Sequence, residues 1–175
     1  ESVPIPPDLR AVWDARLRTF LASRPAQDEV ALEAAAALGG PIDPTEWLAV
    51  CTDLGAAPGD LLRDLLDQGL ATSHEDGWDL VHGMLREALH ERAKAADRWT
   101  ALQMACARVL ETGAHDRTRL GRHLLASGTT ERAIPELMAG LEIDMRSGNL
   151  ARAEETAHQV DKALAVPGTP VSMLA

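Results

Sequence analysis

Three side chains able to carry chemistry, His82, Arg86 and His90, recur at four-residue spacing directly after a short alternating segment, Trp78-Asp79-Leu80-Val81. Four residues is close to one helical turn, so the three fall on one helical face. A metal held there would need further ligands, and no clustered Cys or acid set accompanies them. Covalent hydrolysis needs a nucleophile beside a base. The chain has no Gly-x-Ser-x-Gly elbow and no Cys/His pairing with an oxyanion glycine. Cys51 and Cys106 are remote from each other in sequence, lack a Cys-x-x-Cys partner and sit among apolar helical residues, so both are expected as buried free thiols. Glu154 and Glu155 read as solvated carboxylates on a polar helix side. His115-Asp116 reads as a helix start, and His74, His123 and His158 as surface or partly buried helix residues. No catalysis by this chain is expected.

The elements that must position His82 can be read from hydrophobic period and turn chemistry. A first helix opens at Pro6-Pro7, carries Leu9, Val12, Trp13, Leu17, Phe20 and Leu21 at helical spacing, and ends near Arg24-Pro25. A second, Gln27 to Leu38, is rich in Ala and Leu and stops at Gly39-Gly40-Pro41. Asp43 caps a third, with Pro44 at its first position, Glu46 at its third, and Trp47, Leu48, Val50 and Cys51 directed to the core. Pro58 starts a fourth, whose Leu61, Leu62, Leu65 and Leu66 form a wide apolar stripe ended by Gly69. Ala71 to His74 and Trp78 to Val81 then read as strands flanking Glu75-Asp76-Gly77. Helices follow from Gly83 to Ala95, Asp97 to Thr112 and Asp116 to Ala126. Three helices, a hairpin and a further helix led by His82 make the pattern of a winged-helix module.

After residue 126 the chemistry of helix boundaries repeats. Ser127-Gly128 precedes Arg132-Ala133, and Ser147-Gly148 precedes Arg152-Ala153, a spacing of about twenty residues. Glycine permits a sharp turn and the small alanine a close helix approach, which is the logic of tetratricopeptide-like helical hairpins of roughly 34 residues, although the full consensus is absent. Pro135 is expected in the first turn of its helix, where proline is tolerated. Val166-Pro167-Gly168-Thr169-Pro170 interrupts the pattern, leaving Val160, Leu164 and Val166 expected on an uncovered apolar edge.

The chain has 175 residues, 46% of them hydrophobic, and a formal net charge of -10, enough apolar material for one or two small cores. The charge is concentrated: residues 41–80 hold nine acidic residues and one basic. That stretch contains the third and fourth helices and the hairpin, the surfaces a winged helix turns toward DNA. Asp60, Asp64 and Asp67 against Arg63 alone, with Glu75, Asp76 and Asp79 on the hairpin, would repel phosphates that Lys and Arg normally neutralise. Direct nucleic-acid binding is therefore not expected. No apolar run approaches the ~18 residues of a membrane span, and Glu1 without an apolar leader reads as the start of an internal piece of a longer cytoplasmic polypeptide.

Several stretches, in this order, resemble the bacterial signal-transduction ATPases with numerous domains. They are Pro7-Asp8-Leu9 with Ala15-Arg16-Leu17, Leu32 to Gly39, Leu61 to Leu70, His82-Gly83-Met84-Leu85-Arg86-Glu87, and Arg122 to Gly128 with Ala133. In that family an ATPase core is followed by a winged helix and then helical repeats, and a histidine placed as His82 is helps hold ADP in the closed state. Gly83 stands where the family has aspartate, and Leu80 where it has an aromatic residue. The ATPase core itself has no counterpart here, since no Gly-x-x-x-x-Gly-Lys-Ser/Thr loop occurs.

The resemblance implies a mainly α chain in three parts: a lead-in helix (1–26) to an absent ATPase core, a winged-helix module (27–95) and a truncated helical-repeat region (96–175). Its function would be regulatory coupling of nucleotide state, ADP or ATP held by the parent protein, to a protein partner or ligand on the repeats and to an effector domain. No cofactor or metal is expected in this chain itself. The competing readings are a protein-interaction scaffold without nucleotide sensing and, further off, a DNA-binding winged-helix regulator.

Overall fold

The computed structural model describes residues 7–113 and 116–165. It is mainly helical, with one small antiparallel sheet, and the chain divides between Leu102 and Gln103 into two compact units. In the first unit the order is α1 (Pro7–Leu21), α2 (Ala26–Leu38), α3 (Pro44–Asp53), α4 (Leu61–Asp67), β1 (Ala71–His74), β2 (Gly77–Leu80) and α5 (Gly83–Ala95), ending in the first residues of α6 (Trp99–Thr112). The body of α6, α7 (Arg117–Ala126), α8 (Thr130–Arg146) and α9 (Leu150–Leu164) make the second.

The first unit is built around α2, whose Ala31, Leu32, Ala34, Ala35 and Ala36 are all buried. Alanines allow α3 and α5 to pack closely on it, and α1 adds Trp13, Leu17 and Phe20 to the core. Helix α3 begins as its sequence demands: the Asp43 carboxylate accepts the amides of Thr45 at 2.7 Å and Glu46 at 2.9 Å, with Pro44 in the first turn. Of its apolar residues, Trp47, Val50 and Cys51 are buried, but Leu48 is 49% exposed. A one-residue step turns the side chain about 100°, so Leu48 cannot share the face of Trp47. Helix α4 starts at Leu61 rather than Pro58, which lies in the preceding turn and accepts the Leu61 amide. Its buried stripe reduces to Leu61 and Leu65, because Leu66 faces outward at 36% exposure.

The strands pair in the register Ala71 to Leu80 and His74 to Gly77, leaving Glu75-Asp76 as a two-residue turn. The second strand therefore begins one residue earlier than Trp78. An isolated antiparallel bridge joins Ile42 to Trp78: the Ile42 amide donates to Trp78 O at 2.8 Å and the Trp78 amide to Ile42 O at 3.1 Å. Helix α6 starts at Trp99, not Asp97, because Asp97 adopts φ 55° at the end of α5. There the Asp97 amide donates to Lys94 O and the Arg98 amide to Ala93 O, closing α5 with a motif that usually employs glycine.

In the second unit, α8 packs on both α7 and α9. The two glycine boundaries fold alike. Gly128 has φ 84° and Gly148 φ 75°. Thr129 N donates to Leu124 O and Asn149 N to Asp144 O, each at 2.9 Å, the six-to-one bond of a Schellman turn. Ala133 and Ala153 are buried just beyond, as their spacing anticipates. Pro135 stands in the second turn of α8 rather than the first, since the helix opens at Thr130. Val160 is buried at 6% exposure and Leu164 half-buried, so the uncovered edge foreseen for them is largely occupied. Val166 lies outside the described residues. Among the described residues no helix is long and apolar enough to cross a membrane.

Candidate functional site

The junction that presents His82 is built by the hairpin. Trp78, 1% exposed, packs edge-on against Trp47 at 5.0 Å between ring centroids and 73° between planes. Trp47 is itself held by donating from Nε1 to Ala31 O at 2.8 Å. Gly77 is required by close approach: a Cβ there would lie 2.3 Å from Ile42 O, inside the bridge. With Trp78 anchored inward, Asp79 projects to the other face of the strand. Its Oδ1 accepts from Arg86 Nη2 at 3.1 Å, and His74 Nε2 lies 3.7 Å from its Oδ2. The Val81 amide donates to Leu70 O at 3.1 Å and closes the base of the hairpin.

His82 follows as the N-cap of α5, in extended backbone at φ -141° and ψ 138°. Its carbonyl accepts the Leu85 amide at 3.0 Å and so begins the helix. Its side chain makes no capping hydrogen bond. Instead the exposed imidazole meets the Trp13 ring of α1 edge-on, with centroids 4.6 Å apart and planes at 68°. Arg16 lies over the same indole, its guanidinium carbon 5.2 Å from the centroid, and donates through Nη2 to Gln68 O at 2.9 Å. Helix α1 thus braces both the histidine and the end of α4.

The face suggested by His82, Arg86 and His90 does not converge. His82 precedes the helix and turns to Trp13, Arg86 turns to Asp79, and His90 donates from Nε2 to Ala36 O at 2.9 Å while packing against Trp99 at 4.8 Å. Burial lowers the His90 pKa below the ordinary histidine value, and the nearby Lys94 and Arg86 charges act in the same direction. Among the described residues no group of three His, Cys, Asp or Glu side chains is placed to hold a metal ion. The acids of the hairpin side are only partly neutralised: Asp64 pairs with Arg24, and Asp60 with Arg63 at 3.6 Å.

Both cysteines are buried and neither is in a disulfide, and desolvation pushes the Cys51 thiol up to about 12. His74 and His158 are exposed, and Glu154 and Glu155 lie in solvent. His123, expected at or near the surface, is instead 6% exposed, with Nδ1 2.7 Å from Gln103 Oε1. The amide oxygen accepts, so Nδ1 carries the proton. Burial, reinforced by Arg119 and Arg122, lowers its pKa to about 4. His115 lies outside the described residues, while Asp116 does cap α7 by accepting the Arg119 amide at 3.1 Å.

Several partly or fully buried ion pairs carry no motif in the sequence. The Glu33 carboxylate, buried at 1% exposure, takes a bidentate pair from Arg98 at 2.7 and 2.6 Å, and a single oxygen of Glu29, Oε1, accepts from both Nε and Nη2 of Arg92 at 3.0 and 2.7 Å. In the second unit Asp144, also buried, accepts from Thr118 Oγ1 at 3.4 Å and lies 3.2 Å from Arg152 Nε. The two pairs of the first unit join residues 65 and 63 positions apart in sequence, and Thr118 lies 26 from Asp144. The only local signal was an acid within the apolar run of α2, where an unpaired charge would be costly.

Comparison with known proteins finds no matching family model, no matching curated protein and no matching solved structure.

Proposed function

We propose that this chain is a non-catalytic coupling module of a larger signalling ATPase, in which a winged helix reads nucleotide state through His82 and helical hairpins receive a partner. The winged-helix reading is supported by the order α2, Ile42, α3, α4, β1, β2, with Ile42 tied by an isolated antiparallel bridge to Trp78 at the edge of the hairpin. The hairpin-repeat reading is supported by the matching turns at Gly128 and Gly148.

The observation that carries the reading is the state of His82. An imidazole fixed between a strand and a helix, exposed and without a capping bond, keeps its ring nitrogens for an incoming acceptor. Trp13 holds one edge of the ring and limits where those nitrogens point. A diphosphate bound by an ATPase domain against this junction would meet a positioned donor. The acidic surface of α4 and the hairpin favours contact with protein over contact with DNA, because binding a duplex depends on neutralising its phosphates.

The test is ADP affinity, by calorimetry, of the polypeptide that carries the ATPase domain, with and without His82→Ala. Loss of ADP retention supports the sensor role. Unchanged affinity and signalling would leave the second reading, an interaction scaffold. That reading draws on the same Trp13 contact, which already gives the ring a packing role.

A further inference from the structure

In a chain with ten more acidic than basic residues, cations are expected to find carboxylates, and among the described residues most do. Arg18, Arg24, Arg63, Arg86, Arg92, Lys94 and Arg98 pair with acids in the first unit, and Arg117, Arg132, Arg146 and Arg152 in the second. Arg122 and Lys162 have no carboxylate partner among the described residues. Arg122 uses Nε to donate to the amide oxygen of Gln159 at 3.0 Å, which leaves the two outer nitrogens of its guanidinium to other acceptors.

These two cations line the same groove. It lies along α7 and α9, has a volume of about 450 Å³, and is formed by Arg122, Leu125, Ala126, Gln159, Lys162 and Ala163. Its floor is apolar. Leu125 is half-buried against the core cluster of Leu110, Leu120 and Leu124, and Ala126 is exposed. Small side chains at Ala126 and Ala163 leave room that a larger apolar residue could fill, and among the described residues no acid lines the groove.

We propose that this groove binds an acidic peptide segment of a protein partner, one apolar side chain seated on Leu125, Ala126 and Ala163, with flanking carboxylates on Arg122 and Lys162. The inference rests on the reading of the second unit as the partner-binding part of the chain, and it adds the chemistry of that partner. A purely apolar ligand would leave both cations unpaired at the rim. A bare anion would leave the apolar floor in water. A segment with both features meets both requirements, and in this acidic chain the two positive rim charges also give it orientation.

The test uses the whole chain and a set of short fluorescein-labelled peptides, each with one apolar residue (Leu, Ile, Met or Phe) between glutamates, titrated by fluorescence anisotropy. At least one member should bind, more weakly as salt is raised. Replacing its apolar residue by serine, or its glutamates by glutamine, should weaken it. Arg122→Gln and Lys162→Gln should each cost about threefold and together about tenfold, as expected for solvent-exposed charges. Ala126→Glu, on an exposed position, should abolish binding while circular dichroism stays unchanged. Failure of every peptide to bind would overturn the proposal. So would binding that the all-glutamate control reproduces, or binding indifferent to both cation substitutions. Concentration-dependent self-association in sedimentation, lost in Ala126→Glu and blocking the peptide, would assign the groove to a second copy and overturn it too. An unchanged ADP affinity in His82→Ala leaves the groove's assignment intact, and absence of peptide binding leaves the His82 reading intact, so the two failures are distinguishable.

Discussion

Replacing Gly140 by alanine in the middle of α8 should destabilise the second unit, against the usual effect of that change in a helix. Glycine within a helix ordinarily costs about 1 kcal/mol relative to alanine, so propensity alone favours Gly140→Ala. Here α8 crosses the first turn of α7, and a Cβ on residue 140 would lie 2.2 Å from Thr118 Oγ1, 2.8 Å from Thr118 N and 3.1 Å from its Cα. The hydroxyl could rotate away. The amide nitrogen and Cα cannot, because they belong to a helical backbone. The helices must part by several tenths of an ångström, loosening Leu137 and the contact of Thr118 with Asp144, both buried. Overpacking of this kind costs typically about 1–3 kcal/mol, and relief against backbone belongs to the upper part of that range. Subtracting the propensity gain leaves a net loss of about 1–2 kcal/mol, or a fall in melting temperature of roughly 4–15 °C for a unit of this size.

The assay separates the two units by their chromophores. Trp13, Trp47, Trp78 and Trp99 all lie before the division at Leu102, so tryptophan fluorescence reports the first unit while far-ultraviolet circular dichroism reports both. Urea unfolding of Gly140→Ala should show an earlier dichroism transition and an unmoved fluorescence transition. A variant of equal or greater stability would refute the close crossing, and equal shifts of both signals would show that the two units unfold together.

Three further outcomes follow from the same contacts. His123 is neutral in the folded state with its pKa lowered to about 4, against ~6.5 unfolded, so the unfolded chain binds the extra proton. The second unit should therefore keep its full His123 contribution above pH 6.5 and lose up to about 3 kcal/mol as pH falls to 4. Urea titrations at pH 7 and 4.5 should show that loss, and His123→Gln should reduce it; an identical pH dependence in the variant would contradict the assignment. Asp97→Gly removes a non-glycine residue from φ 55° and should stabilise the first unit by about 1 kcal/mol, seen as a later fluorescence transition. Cys51, buried and with its thiol pushed up to about 12, should react with a thiol reagent only at the rate of local opening, so mild urea should accelerate it; immediate reaction in native buffer would contradict its burial.

The amino-acid order alone determined those features whose physics is local. Hydrophobic period marked the helices, because one turn brings residues three and four apart together. Asp43 before Pro44 marked a helix start, since the carboxylate can reach only the amides two and three residues on. Glycine at residues 69, 128 and 148 marked helix ends, where a left-handed residue is needed. Asp97 was the exception: an acid occupies the left-handed position, and the helix boundary moved two residues as a result. His82 was legible as a junction residue, with hairpin on one side and helix on the other, but its companion Trp13 was not, because that contact depends on α1 packing against α5, an element some seventy residues further along the chain.

Only the tertiary structure decided which side of each helix faced inward and which charges met. Leu48 and Leu66 look as apolar as Trp47 and Leu65 in the sequence, yet the neighbours of α3 and α4 cover one side of each helix and leave the other in water. Glu33 is bearable in the core because Arg98 reaches it across a sequence gap of 65 residues. His123 is neutral because the helices around it exclude solvent and Gln103 takes its proton bond. The groove of Arg122 and Lys162 exists only once α7 and α9 lie along α8. Burial, ion pairing and a binding groove are properties of pairs of surfaces, and a single sequence lists the residues of each surface without stating which one it will meet.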